Sequence, residues 1–311
     1  MERGFEKMEG NHEDVTFRVH WLSFTVHASP TDAMTLYDLF FRETFGDLED
    51  LGHGGRGFKS LLKGLLEIKL YLNPINQTAD YFHVEIPGQA CDFIKWGYFQ
   101  ALEDYLQSNF EDQYNYKRLD FAFDNVPFTP QDVEQAIRAD DLRSLAKRKT
   151  MRIHGSPFEE RDNGEIGTYT VELGSMTSQR MITVYNKRGP TRLEFQMRDR
   201  RADFITRELF GASDISEWYP IMMGHIRDYV DFTLPWWEEF IKSYGRAWAT
   251  ISKPKEVSME GLVNWFEQSI APAASVIIDT QSPEVIHRIF DGGRKRRGPR
   301  YNILLGDLTN D

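Results

Sequence analysis

Short segments that alternate apolar and charged residues with a period of two constrain this chain more than any other feature. Such a pattern suits a half-buried β-strand and would scatter the apolar residues around a helix. KRLDFAFDN (117–125) places Arg118, Asp120, Ala122 and Asp124 on one face and Leu119, Phe121 and Phe123 on the other. TRLEFQMRD (191–199) sets Arg192, Glu194, Gln196 and Arg198 against Leu193, Phe195 and Met197. In QRMITVYNK (179–187), Met181, Thr183, Tyr185 and Lys187 share a face, and in YFHVEI (81–86) His83 and Glu85 oppose Phe82, Val84 and Ile86. VTFRVHWLSFTVH (15–27), LLEIKLYL (65–72) and TYTVELGS (168–175) complete the predicted strands.

Between the strands lie helical patterns. Pro30 and Thr31 open one that runs to about Phe45, and residues 94–110 have helical periodicity. Thr129 as cap with Pro130 next to it starts a predicted helix over 129–149. GHGGRGF (52–58) reads as a loop and NPINQTAD (73–80) as a turn segment. From about Arg200 the chain reads as mostly helical, and GGRKRRGPR (292–300) as a flexible basic tail. The expected class is α+β: two antiparallel-sheet lobes with helices on one side, candidates for internal structural duplication, then a helical C-terminal region. The expected boundaries are a mobile leader (1–14), an N-terminal β/α lobe (15–127), a β/α lobe with the tyrosine (128–207), a helical region (208–290) and a basic tail (291–311).

Composition bounds the function classes. With 41% hydrophobic residues the 311-residue chain is globular, and no apolar run is long enough to span a bilayer. The single cysteine, Cys91, excludes an internal disulfide framework and a multi-cysteine zinc site, and suits a cytoplasmic location; it reads as a small buried residue. The net charge of −11 argues against a nucleic-acid partner, but it is unevenly spread. Residues 143–207 carry 14 Lys and Arg against 8 Asp and Glu, a net +6, which leaves −17 for the rest. Phosphate contacts need such a local basic surface, although a basic cluster is more often a plain solvated face.

If the polar strand faces join in one sheet, carboxylates, Arg and Lys surround a tyrosine. Two carboxylates on a sheet face suit a hard divalent cation. A cation near a phenol, whose ordinary pKa is about 10, stabilises phenolate and polarises a phosphate. Antiparallel sheets also carry such residues as ordinary cross-strand pairs on a solvated face, so alternation leaves both readings open.

QRMITVYNKRG followed by TRLEFQMRDRRADF resembles the signature of the replication initiation factor family: a Gly-Ser turn, an arginine, a Tyr-Asn/Asp-Lys strand, then an Arg-x-Glu strand. That family includes rolling-circle plasmid initiators, conjugative-element relaxases and filamentous-phage replication proteins. KRLDFAFDN resembles its Arg-x-Asp strand, HWLSFTV its first strand, GGRGFKS and FHVEIPGQACD its early segments, and PWWEEF with SMEGLVNWFEQSIAPAAS its helical end, from about residue 15 to about 280. The resemblance implies a site-specific DNA endonuclease and strand transferase that nicks one strand through a 5′-phosphotyrosine on Tyr185, with Lys187 and Arg192 as basic partners. Asp120 and Glu194 would be ligands of Mg²⁺ or Mn²⁺, with Asp124 a further ligand; Glu85, beside His83, is added from alternation alone. Arg56, Lys59, Arg118, Arg180, Arg188 and Arg198 are the candidate DNA contacts. Origin DNA, as a hairpin or single-stranded nick site, a host helicase and a homodimer are the implied partners, with no membrane.

Two positions depart from the family pattern. His20 stands where the first strand commonly has an acidic residue, and Met176 follows Gly174-Ser175 where arginine is common. They favour the rival reading, a catalytically reduced origin-binding or copy-control protein. A third reading, suited by the acidic total, is a phosphoryl-transfer or carbohydrate enzyme on an unrelated sheet. GHGGRGF lacks the Gly-Lys-Ser/Thr of a phosphate-binding P-loop. Trp236, Trp237 and Trp265 read as helix-packing anchors, and RKRR (294–297) as a contact for DNA or a partner, or a solubilising tail.

Overall fold

A computed structural model describes residues 10–12, 15–75, 80–155, 168–186, 190–242, 263 and 266–295. Its strands are β1 (Gly10–His12), β2 (Val15–Val26), β3 (Glu49–Asp50), β4 (Phe58–Lys63), β5 (Lys69–Pro74), β6 (Phe82–Ile86), β7 (Tyr114–Asp124), β8 (Leu142–Ser144), β9 (Arg152–Gly155), β10 (Tyr169–Leu173), β11 (Arg180–Asn186), β12 (Arg192–Arg198) and β13 (Val230–Phe232). The helices are α1 (Pro30–Phe40), α2 (Arg42–Phe45), α3 (Gly88–Cys91), α4 (Trp96–Phe110), α5 (Pro130–Ala139), α6 (Asp199–Phe210), α7 (Trp218–Tyr229), α8 (Pro235–Ile241), α9 (Ala271–Thr280) and α10 (Pro283–Lys295). Among the described residues 11 strands form one sheet in the order β3-β4-β5-β6-β2-β7-β12-β11-β10-β9, with β1 on β2. Neighbouring strands run antiparallel, and β8 pairs separately with β13.

The chain writes one pattern twice. β2-α1-β4-β5-β6-α4 and β7-α5-β10-β11-β12-α6 are each a strand, a helix, three strands and a helix. The first helix of each copy begins alike. Ser29 and Thr129 cap α1 and α5, proline follows at once, and Asp32 and Asp132 close the capping box. β2 and β7 pair along most of their length, so the two expected lobes share a single sheet.

One sheet face is apolar, as alternation dictates. Leu119, Phe121 and Phe123 of β7, Leu193, Phe195 and Met197 of β12, and Ile182 and Val184 of β11 are buried in one core. Rings from the helical layer fill it: Trp218 packs at 6.0 Å from Phe121, and Phe240 at 5.5 Å from Phe123. Each such side chain contributes roughly 1.5–3 kcal/mol through burial. The turn between β10 and β11 is pinned to α7. Gly174 sits at φ 128°, where a Cβ would come within 2.6 Å of the Tyr229 hydroxyl, and that hydroxyl donates to the Arg180 carbonyl at 2.9 Å.

Several boundaries move. The helix expected over 129–149 stops at Ala139, because Asp140 turns left-handed at φ 68° and the chain leaves to form β8 against β13. Leu65–Glu67 is a tight turn with Leu66 and Glu67 at positive φ, not strand, and β4 occupies residues within and beyond the expected loop. β13 interrupts the expected helical run after Arg200. The compact units are Met1–Ala249 and Thr250–Asp311. In the second, a π-helical turn (Phe266–Ile270) leads into α9, and α10 carries helix as far as Lys295 into the segment read as a tail. The rest of that tail, Trp265 and most of the leader lie outside the described residues. No helix among the described residues is long and apolar enough to cross a membrane.

The repeated caps are separable in stability. Ser29→Ala and Thr129→Ala should each lower unfolding free energy by about 1 kcal/mol. Urea denaturation midpoints measure this, and the double variant should be additive, since the caps serve different helices.

Candidate functional site

The polar face of the sheet gathers the charged residues in a defined register. Tyr185 of β11 stands opposite Arg192 of β12, which stands opposite Asp124 of β7. One step along, Glu194 lies opposite Thr183 and Ala122. The Tyr185 hydroxyl donates to Glu194 Oε1 at 2.5 Å, and Arg192 Nη1 donates to the phenol oxygen at 3.4 Å. Arg192 also grips Asp124 with two donors, at 2.6 and 2.9 Å. Arg18 of β2 reaches the same carboxylate from the other side.

His20 joins this group through an irregularity. Val19 pairs with Phe121 and Trp21 with Asp120, so His20 is the extra residue of a β-bulge, a device that re-aims a side chain. Its Nε2 stands 3.2 Å from Glu194 Oε1. Ala122, buried on β7 between β2 and β12, is small enough to let groups from both flanking strands meet above it. Gly88 opens α3 directly against the imidazole: a Cβ there would fall 2.4 Å from His20 Cε1 and 2.6 Å from Nδ1.

Electrostatics keep the phenol protonated at rest. Burial, then the charge and hydrogen bond of Glu194, push the Tyr185 hydroxyl well above its ordinary value, and Arg192 opposes them in part. The Glu194 carboxylate is in direct hydrogen-bond contact with that phenol proton. Asp120 forms a separate group. Arg118 donates to both its oxygens, at 2.9 and 2.5 Å, and Gln196 donates at 3.2 Å, while the Arg118 guanidinium lies 4.5 Å from the Trp21 ring centre.

A divalent cation needs several oxygen ligands converging on one point. Among the described residues no group of three or more His, Cys, Asp or Glu is placed to hold one. Asp124 is clasped by two guanidinium groups, Asp120 by one, and Glu85 lies apart, with Arg56 2.7 Å away. The four expected ligands are distributed over separate clusters, and as arranged they do not fit a shared ion.

Residues 114–289, over half of the chain, match the family described as Replication initiation factor. The chain belongs to the replication initiation factor family. Its fold is also similar to that of a solved structure, the rolling circle replication initiator protein from Geobacillus stearothermophilus. The two are 19% identical, with a TM-score of 0.56, over 75% of this chain and 92% of that one. None of the curated proteins compared by sequence matches it.

In this replication initiation factor, Tyr185, Arg192, Glu194 and Asp124 come together, and Asp120 lies on the same face. Lys187 and Arg188 lie outside the described residues. Arg198 stays on the polar face, donating to Gln196 at 2.5 Å and to the Met176 carbonyl. Arg180 does not belong with the expected DNA contacts. It shares the core-facing parity of Ile182 and Val184, pairs with Asp228 at 2.7 Å and lies over the Tyr229 ring. Arg56 and Lys59 are exposed in the other half of the sheet. Arg18 and Gly88 were missed as site residues. Arg18 alternates with Phe17 and Val19, which could have revealed it; nothing in the sequence marks the closeness of Gly88 to His20.

The raised phenols imply an alkaline limit on stability. Tyr37, Tyr71 and Tyr229 are each pushed up to about 12, mainly by burial. The unfolded chain releases these protons first, so this stabilisation is complete below pH about 10 and declines as pH rises through about 12. Melting temperature followed across that range, with tyrosinate absorbance, should show ionisation accompanying unfolding.

Proposed function

We propose that this protein starts rolling-circle replication by nicking one DNA strand at an origin and retaining the cut end on Tyr185. The observation that carries the reading is the 2.5 Å hydrogen bond from the Tyr185 phenol to Glu194, with Arg192 beside the phenol oxygen, on the polar face of the sheet. The phenol attacks the scissile phosphorus and its proton passes to Glu194. The bond to the 3′-oxygen breaks, that oxygen takes a proton from water, and the hydroxide left behind is neutralised by the proton held on Glu194. The products are a 5′-phosphotyrosine and a free 3′-hydroxyl, which can prime a polymerase. Arg192 offers positive charge to the phosphate as the phenol loses its proton. Asp124 fixes that guanidinium through two bonds, so the cation is already oriented.

A Mg²⁺ or Mn²⁺ ion is what the family resemblance implies, and it would polarise the phosphate when bound. The described carboxylates do not converge on one point, and proton transfer and charge stabilisation fall to Glu194 and Arg192. Origin DNA in hairpin or single-stranded form is the substrate in this reading, with a host helicase to extend the opened strand. A homodimer, and a plasmid, conjugative-element or phage context, belong to the same proposal.

The test is incubation of purified protein with origin DNA and divalent salt, then denaturing electrophoresis for a covalent adduct. Tyr185→Phe should form none while still binding the DNA. Glu194→Gln should slow adduct formation about 10²- to 10⁴-fold, the usual contribution of a positioned acid–base group. An undiminished adduct with Tyr185→Phe refutes the assignment. Tight origin binding without any wild-type nicking would favour the copy-control reading.

A further inference from the structure

The group around Tyr185 has a counterpart in the other copy of the repeat. β5 and β6 hold the places there that β11 and β12 hold in the second copy. Tyr71 on β5 stands opposite His83, two residues before Glu85, just as Tyr185 on β11 stands opposite Arg192, two residues before Glu194. In both, the phenol donates to the glutamate, at 3.1 Å for Tyr71 and 2.5 Å for Tyr185. Each glutamate also has a histidine near it, His83 at 3.7 Å from Glu85 and His20 at 3.2 Å from Glu194. An ordinary solvated sheet face does not call for the same register and the same donor in both copies.

The copies differ in what they present outward. Tyr71 is only 4% exposed and lies 5.8 Å from Phe58, ring centre to ring centre, so its hydroxyl cannot approach a phosphorus atom from solution. The outward group is Arg56. Its side chain is 60% exposed, yet its Nη1 lies 2.7 Å from Glu85, which is 3% exposed. The loop that carries it is bent to shape: Arg56 has φ 52° and Gly57 φ 86°, and a Cβ on Gly54 would fall 1.8 Å from the Phe58 carbonyl oxygen. Lys59 is exposed three residues on, and Lys69 stands opposite Glu85. Against His83 and Arg56, burial fails to raise the Glu85 carboxyl, which is held below the usual range, so the anchor stays charged.

We propose that the Arg56–Glu85–Tyr71 group is a second DNA seat, which holds a phosphodiester of single-stranded DNA without cutting it. Glu85 occupies one edge of the guanidinium and fixes its direction. The Arg56 guanidinium also lies 5.9 Å from the Tyr71 ring centre, and with its side chain 60% exposed it keeps donors within reach of solvent; a planar, pre-aimed guanidinium suits a phosphate. In a chain of net charge −11, such local cations are where a strand can be gripped. β5 and β11 are five strand spacings apart, about 24 Å across the sheet, and the Tyr185 row meets β2 at Thr16 while the Tyr71 row meets it at Thr25, roughly 30 Å further along the strands, so a strand joining the two would cross the face diagonally. A strand clamped at Tyr185 and crossing the polar face would pass Arg118 and Trp21 on β7 and β2 before reaching Arg56. The proposal rests on the nicking role of Tyr185 for its geometry.

The test uses the full chain carrying Tyr185→Phe, so that binding is read without cleavage. Fluorescence anisotropy compares a short oligonucleotide centred on the nick site with ones extended on either side far enough to span the sheet. The parent should bind one extended strand more tightly than the short one. Adding Arg56→Ala should reduce that long-to-short affinity ratio at least about 5-fold near 0.1 M salt and lower the salt slope for the long strand by about one. Lys59→Ala leaves the Arg56–Glu85 pair intact and should lower the slope in the same direction, which guards against an effect of misfolding. A parent that binds short and long strands equally, or an Arg56→Ala ratio and slope equal to the parent's, overturns the second seat. An adduct still formed by the Tyr185→Phe chain would instead sink the nicking role, a separate readout from the affinity ratio.

Discussion

β2 and β7 pair from Thr16 to Val26, and that seam decides where every other group in the larger unit can stand. It fuses the two copies of the repeat into one sheet, so their apolar faces share a core and their polar faces share a surface. The seam is not regular. β2 gains a residue at His20, and a second shift lies between Ser23 and Phe24. Between them the register is offset by one, which sets Trp21 against Asp120 and turns His20 toward Glu194. A regular pair would have sent the residue after Val19 and its successor to opposite faces.

Charge is concentrated on the polar face as linked pairs. Arg192 and Arg18 converge on Asp124, Arg118 holds Asp120, and Arg56 stands on Glu85. Ion pairs with a buried partner contribute little net stability, because desolvation offsets much of their attraction. What they supply is orientation, since each arginine has its direction set by the carboxylate it holds. The contrast between Glu194 and the other carboxylates follows. Glu194 has the phenol as its close donor, with His20 at 3.2 Å and Arg192 no nearer than 3.7 Å, whereas Asp124 is held by two guanidinium groups.

Alternation made the sheet legible. Leu119, Phe121, Phe123, Leu193, Phe195 and Met197 fall inward as their parity requires, and Tyr185, Arg192, Glu194 and Asp124 meet on the other side. Parity also says that Arg180 faces the core, and a reading that counted it as basic surface set its charge above its position. Left-handed residues carried little signal: Asp140 ends α5 and Leu66 forms a turn although neither is glycine. β8 was hidden because its three residues draw their pairing from β13, far along the chain. The bulge at His20 and the fit of Gly88 against it arise only when β2, β7 and α3 are assembled, so no local pattern announces them.

The anchoring of the β10–β11 turn has a mechanical consequence. Tyr229 of α7 fastens the carbonyl of Arg180, the first residue of β11, and Gly174 leaves the room that the phenol occupies. Tyr185 stands five residues further along the same strand, roughly 16 Å from that fastening. The ribbon therefore has a fulcrum at one end and the Tyr185 phenol toward the other. A tilt at the fulcrum would be felt further along the strand, so the helical layer would bear on the aim of Tyr185 without touching it.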